Sequence, residues 1–155
     1  MPVFLNNLQE KISIEGGLLE LLKEVVNETL RYCGADGDPE VGLVLVDDDY
    51  MAGLNRRYRE VDRPTDVLSF AMLEGEPMPE GGQEGQMLGD VVISLETARR
   101  QAAELGHGLA REMAYLTVHG VLHLLGHHHD TEPEKNKMRQ MEEAVLKRVI
   151  PGGGR

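Results

Sequence analysis

The stretch His119–His129, HGVLHLLGHHH, constrains this chain more than any other. His119 and His123 are four residues apart, which on a helix puts both imidazoles on one face, about one turn from each other. Gly126 comes three residues later and can end that helix or turn the chain sharply. His129 follows three residues after the glycine, so the turned chain can bring a third imidazole back toward the first two. The pattern is H-x-x-x-H-x-x-G-x-x-H. A divalent, borderline-soft metal, zinc first, takes imidazole nitrogen at three corners of a tetrahedron and leaves the fourth for water. Three neutral ligands leave the full metal charge to act on that water, as in a catalytic rather than a closed structural site. The plain alternative is a solvated polar turn, and the register of ligand pair, breaker and third ligand speaks against it.

The same spacing occurs in the metzincin metalloproteases, where the residue after the first histidine is the general base, Glu. Here it is Gly120. The metal half of that motif is present and the proteolytic base is missing, which weakens a peptidase reading.

The ligand pair needs a helix, and the periodicity predicts one over Leu109–Leu125, with Met113, Leu116, Val118, Val121, Leu122 and Leu125 facing inward in the middle of the domain. Residues 3–6 read as a short strand. From Ile14 to Cys33 apolar residues recur at helical spacing, and Gly34 supplies a stop. Val41–Val46 is a near-continuous apolar strand, as expected for burial on both faces. Asp47–Asp49 can cap a helix over Tyr50–Arg59 with an inner stripe of Met51, Leu54 and Tyr58. Val67–Phe70 and Leu88–Leu95 read as strands, Glu96–Leu105 as a helix closed by Gly106, and Glu132–Val149 as a last helix with Pro133 in its first turn. Residues 73–87, rich in Pro, Gly and Glu, read as a surface loop. The order β-α-β-α-β-β-α-α-α predicts an α+β fold, a small mixed sheet packed with helices.

At 155 residues and 41% hydrophobic content, one domain over 1–150 with a disordered tail over 151–155 is expected. The single cysteine, Cys33, excludes an intramolecular disulfide, fits a reducing compartment and sits on an apolar helix face as a core residue. The N-terminus has no signal-peptide pattern, and no stretch approaches the roughly 18 apolar residues of a membrane span. A cytoplasmic protein without membrane partners is expected. The net charge of −11 argues against general nucleic-acid binding. Against that trend, four arginines fall between Arg56 and Arg63.

Three separated stretches carry a resemblance: LNRRYREVDRPTDVLSF at 54–70, LGDVVIS at 88–94 and HGVLHLLGHHH at 119–129. Together, and in this order, they resemble the YbeY family of metal-dependent endoribonucleases, the bacterial rRNA maturation factors. The resemblance runs from about Val41 to the last helix. It implies an α+β fold whose central helix bears two zinc ligands, one zinc ion per chain, and cleavage of single-stranded RNA. It also implies a role on the small ribosomal subunit, in processing the 3′ end of its rRNA and in ribosome quality control. Carried over by position, the metal ligands are His119, His123 and His129, and the family's functional arginine is Arg59. The chain departs from the family in having His127 and His128 where an aromatic residue and Asp usually precede the third ligand, and Ala71 where Pro often follows SF.

Read as chemistry, cleavage of a phosphodiester needs a nucleophile, charge stabilisation on the equatorial oxygens and a proton for the leaving oxygen. Arg59 can hold a phosphate bidentately, which a lysine would do less well; its plain alternative is a helix-end cation. Arg56, Arg57 and Arg63 can form a local funnel for a polyanion. Asp66 and Asp90 are candidates to orient a ligand imidazole or position the water, with a turn for Asp66 and an edge strand for Asp90 as the plain alternatives; Asp130 is a further candidate to orient an imidazole, and His128 to support a ligand or touch substrate. His107 is favoured at its helix end by the dipole alone, and Met138 and Met141 read as core. Two other readings stand beside the nuclease: a metal-dependent hydrolase of an amide or small molecule, and a non-catalytic ribosome-assembly factor.

Overall fold

The computed structural model describes residues 3–14, 16–35, 39–60, 63–71 and 87–150. Its elements, in chain order, are β1 (Val3–Asn7), α1 (Gly16–Tyr32), β2 (Glu40–Val46), α2 (Asp48–Arg59), β3 (Val67–Ala71), β4 (Met87–Ser94), α3 (Leu95–Leu105), α4 (Leu109–Leu124) and α5 (Glu132–Val149). Each expected element is present, with ends within two residues of those read from periodicity. The loop expected over 73–87 and the tail 151–155 lie outside the described residues, Met87 apart.

The four strands form one mixed sheet in the order β1-β2-β4-β3. β1 pairs with β2 and β2 with β4 in parallel, and β3 runs antiparallel to β4 as an edge strand. Side chains alternate along β4. Val91 and Ile93 join Leu22, Val26, Met113 and Val121 on the face covered by α1 and α4. Val92 points to the other face, where it packs with Val46, Met51 and Leu68 under α2. A third cluster, Val25, Ala114, Val118, Leu122, Met138 and Val145, ties α4 to α1 and α5. α4 is therefore enclosed by the sheet on one side and helices on the other, which its apolar sequence requires. Each fully buried Leu or Met contributes about 1.5–3 kcal/mol, so packing sets where this helix lies.

α4 approaches the sheet closely at Gly120. A Cβ there would stand 2.4 Å from Val91 Cγ1. The Ser69 hydroxyl adds a cross-link by donating to the Gly120 carbonyl at 3.0 Å.

α2 is held at its first turn. The Asp47 side chain accepts from the Tyr50 N–H at 2.8 Å. Asp48 accepts from Ser94 Oγ and Thr97 Oγ1, both at 2.6 Å, and pairs with Arg100 at 2.8 Å. In return Glu96 accepts from the Asp48 N–H at 2.8 Å. The inner stripe expected for this helix holds only in part. Met51 is buried and Leu54 half-buried, but Tyr58 is 58% exposed. Tyr58 packs edge-on against Phe70 of edge strand β3 rather than entering the core. Asn55 takes the buried place instead and donates to the Arg63 carbonyl at 2.8 Å.

Candidate metal centre

His119 and His123 project from the last turns of α4, and the helix stops at once beyond them. The Gly126 N–H donates to the His123 carbonyl and the His127 N–H to the Leu122 carbonyl, each at 3.0 Å. This is the Schellman pair of bonds, and it needs a left-handed residue at Gly126, where φ is +95°. Five residues on, α5 starts with a capping box in which Thr131 and Glu134 bond each other's backbone. The connecting loop is thus clamped at both ends, and His129 lies within it.

The three imidazoles converge. One ring nitrogen from each of His119, His123 and His129 lies within 4.8 Å of the others. The Nε2 atoms of His119 and His123 are 3.2 Å apart. The other nitrogen of His119, Nδ1, is 2.6 Å from Glu142 Oε2. Glu142 is 5% exposed. Its carboxylate accepts from Nδ1–H, which assigns the proton to Nδ1 and turns the Nε2 lone pair toward His123. Burial, then the neighbouring His119, His129 and His128 rings, push the His123 imidazole down to about 4, against a small opposing pull from Asp130. His123 is therefore neutral, in its ligating form, at physiological pH.

These donors fit a tetrahedral ion. Two nitrogens each bound at about 2.0–2.1 Å to such an ion stand about 3.3 Å apart, close to the separation of the two Nε2 atoms. A cation between them would take both lone pairs.

Glu142 is the residue that sequence reasoning missed; Asp66, Asp90 and Asp130 were expected in its role. Its signal was a carboxylate at the middle of the stripe Met138, Glu142, Val145, whose other members are apolar core. Asp90 stands on the opposite sheet face from α4, over Gly42, where a Cβ would meet its Oδ1 at 2.0 Å. Asp66 does line the metal groove, but its Oδ1 accepts from the Val67 N–H at 2.7 Å. With the Gln101 amide turned to donate, it bridges Asp66 Oδ2 at 3.3 Å and the buried Glu112 at 3.0 Å. His107 pairs with Glu112 at 2.8 Å, apart from the three-imidazole cluster. Met138 is core and Met141 packs against it, as expected.

The imidazoles open onto a groove of about 500 Å³. Its far wall is edge strand β3, with Ser69 and Ala71, and the Thr65 and Asp66 that precede it, and Arg59 stands at the end of α2 beside them. Arg59 and the histidine cluster, 60 residues apart in sequence, thus share one cleft. Arg56 and Arg57 instead line a separate hollow along α2 with Tyr50 and Leu54. His128 lines the metal groove, its ring 6.0 Å from that of His123, while His127 faces a smaller hollow beside Lys137 and Met138.

The peptidase reading meets a physical obstacle. The position after the first histidine lies against Val91, so a side chain there must displace it. The glycine that leaves the motif without a base is the one that lets α4 touch the sheet.

A family model described as Endoribonuclease YbeY matches residues 4–150. A protein named Endoribonuclease YbeY from Desulforamulus reducens is 56% identical over 149 residues, covering 96% of this chain and 97% of its own. One of the same name from Pelotomaculum thermopropionicum is 57% identical over 149 residues, with the same coverage. Among solved structures, a Thermotoga maritima protein determined in solution superposes with a TM-score of 0.59 at 26% identity, covering 96% of this chain and 93% of its own. With the matching model spanning nearly every residue that builds the sheet, the three-histidine cluster and the groove, this chain belongs to the endoribonuclease YbeY family.

Proposed function

We propose that this chain is a zinc-dependent endoribonuclease that cuts single-stranded RNA, with His119, His123 and His129 holding one zinc ion and Arg59 gripping the phosphate. The observation that carries the reading is the meeting of three imidazole nitrogens and an arginine in one open groove, in a chain of this family. The metal identity rests on the donor set, since three imidazole nitrogens within 4.8 Å of one another suit zinc. When bound, such an ion polarises a phosphoryl oxygen and activates water.

The chain's own residues do the rest. Glu142 fixes the His119 ring, and the bonds at Gly126 carry His129 back to the pair. Arg59 presents two parallel N–H donors to a phosphate, which orients it and offsets its charge. The preference for a single strand follows from the family resemblance. The role in late rRNA processing, at the 3′ end of small-subunit rRNA, and the association with the small subunit follow from the family resemblance. So do a cytoplasmic location and a single domain over 1–150. No helix among the described residues is long and apolar enough to cross a membrane.

The test is cleavage of single-stranded RNA by the wild type, His119→Ala and Arg59→Lys, each checked for folding and metal content. The wild type is expected to cleave, and His119→Ala to lose metal and activity together. Arg59→Lys is expected to keep its metal and lose about 10- to 100-fold in turnover. Near wild-type turnover in Arg59→Lys would remove Arg59 from the mechanism. Failure of the metal-loaded wild type to cut RNA would overturn the proposal.

A further inference from the structure

We propose that Tyr58 is a base-stacking platform for the RNA strand, seated next to the metal groove. The proposal rests on the RNA-cleaving reading above and names a contact for that substrate.

Among the described residues, Tyr58 is the most exposed of the large hydrophobic side chains. A lone exposed tyrosine is ordinary, but this one is fixed. Its ring meets Phe70 at 5.2 Å between centroids with the planes 65° apart. That edge contact holds the ring's orientation and leaves aromatic surface open. The helix beneath it is held as well, at its first turn by the Asp48 bonds and near its last by Asn55 on the Arg63 carbonyl. A pre-oriented aromatic loses little freedom when a base stacks on it.

Its position suits a strand leaving the groove. Tyr58 directly precedes Arg59, which lines the cleft. Phe70 lies between Ser69 and Ala71, both of which line that cleft, but points to the opposite side of the sheet. β3 is an edge strand, with no further strand beyond it among the described residues. A strand leaving the groove past Arg59 and over that edge runs toward the Tyr58 ring.

The charge suits the same partner. The protein carries a net −11, yet Arg56, Arg57, Arg59 and Arg63 surround this ring in sequence and all are exposed. The Arg57 guanidinium lies 5.9 Å over the ring centroid. Cationic side chains for the backbone, interleaved with an aromatic face for the bases, are what single-stranded nucleic acid binds. A base offers a π-face whatever its identity, so this contact adds affinity with little sequence preference.

The chain has no tryptophan, so Tyr58→Trp installs a unique fluorescent reporter. The measurement uses the full chain freed of metal by chelator, titrated with a single-stranded oligoribonucleotide carrying a dye. Anisotropy of the dye reports binding, and emission of the introduced indole reports stacking. The expected result is saturable quenching of the Tyr58→Trp protein that follows the anisotropy curve. Tyr32→Trp, at the end of α1 on the other sheet face, is expected to show none. With metal restored, Tyr58→Ala is expected to raise KM for single-stranded RNA about tenfold with kcat unchanged, and Tyr58→Phe to behave as wild type. Binding without quenching in the Tyr58→Trp protein, or an unchanged KM in Tyr58→Ala, overturns the stacking proposal and leaves the nuclease reading standing. No RNA binding by anisotropy and no cleavage overturns both.

Discussion

A single hydrogen bond, from His119 Nδ1 to Glu142, decides which nitrogen of the first imidazole faces the groove. The carboxylate is buried, so its attraction for the imidazole proton is little screened by water. Glu142→Gln weakens that hold while keeping the size of the side chain. It is expected to lower metal affinity about 10- to 100-fold with the far-UV circular dichroism unchanged. Metal titration of the two proteins checks this, and equal affinities would mean that Glu142 has no part in the centre. The three histidine ligands were legible from spacing because a helix and a glycine turn are local devices. Glu142 was not, because its meeting with His119 depends on how α5 packs across α4, which no local pattern encodes. Tyr58 misled for a related reason. Its helical phase points toward the sheet, but it meets only edge strand β3 there, at Phe70, and stays 58% exposed.

Two elements place the chemistry, and each rests on one dense contact. α4 lies against β4 because Gly120 has no side chain. Gly120→Ala gains up to about 1 kcal/mol of helix propensity and loses about 1–3 kcal/mol to overpacking against Val91, so net destabilisation is expected. Adding Val91→Ala removes the atoms that clash and is expected to recover part of the loss. Urea denaturation of the single and double variants measures both, and a Gly120→Ala protein as stable as wild type would mean that the contact is slack. α2, which ends in Arg59, is held at its other end by Asp48. Burial raises the Asp48 carboxyl, but bonds from Ser94, Thr97 and Arg100 outweigh it and hold the group below its usual 3.8. As pH falls, the unfolded chain takes up this proton before the folded one does. The stabilisation is therefore full above the unfolded value and is lost as pH falls through the lower folded one. Asp48→Asn is expected to be less stable than wild type by about 1.5 kcal/mol at pH 7, with the gap closing below pH 3.8. Denaturation at pH 7 and near pH 3 checks this, and a gap independent of pH would assign the loss to something other than the charge.

At the scale of the molecule, the mixed sheet is a frame that brings residue 59 and residues 119–129 to opposite walls of one groove. The element order was readable from periodicity because nearly every element has a one-sided or fully apolar pattern and a recognisable stop. The strand order was not, since the sequence does not say that β4 inserts between β2 and β3. The shared cleft of Arg59 with the histidines follows from that insertion, and before the structure only the family resemblance had linked them. The core of Leu22, Val26, Met113 and Val121 needs no metal ligand, so the frame is expected to stand without the ion. The most direct test of the central claim is the rate of single-stranded RNA cleavage as chelator-treated protein is titrated with zinc, with circular dichroism followed throughout. The account predicts a folded, inactive protein whose activity rises to a plateau at one zinc per chain. Full activity in the metal-free protein, or none at any zinc content, would contradict it.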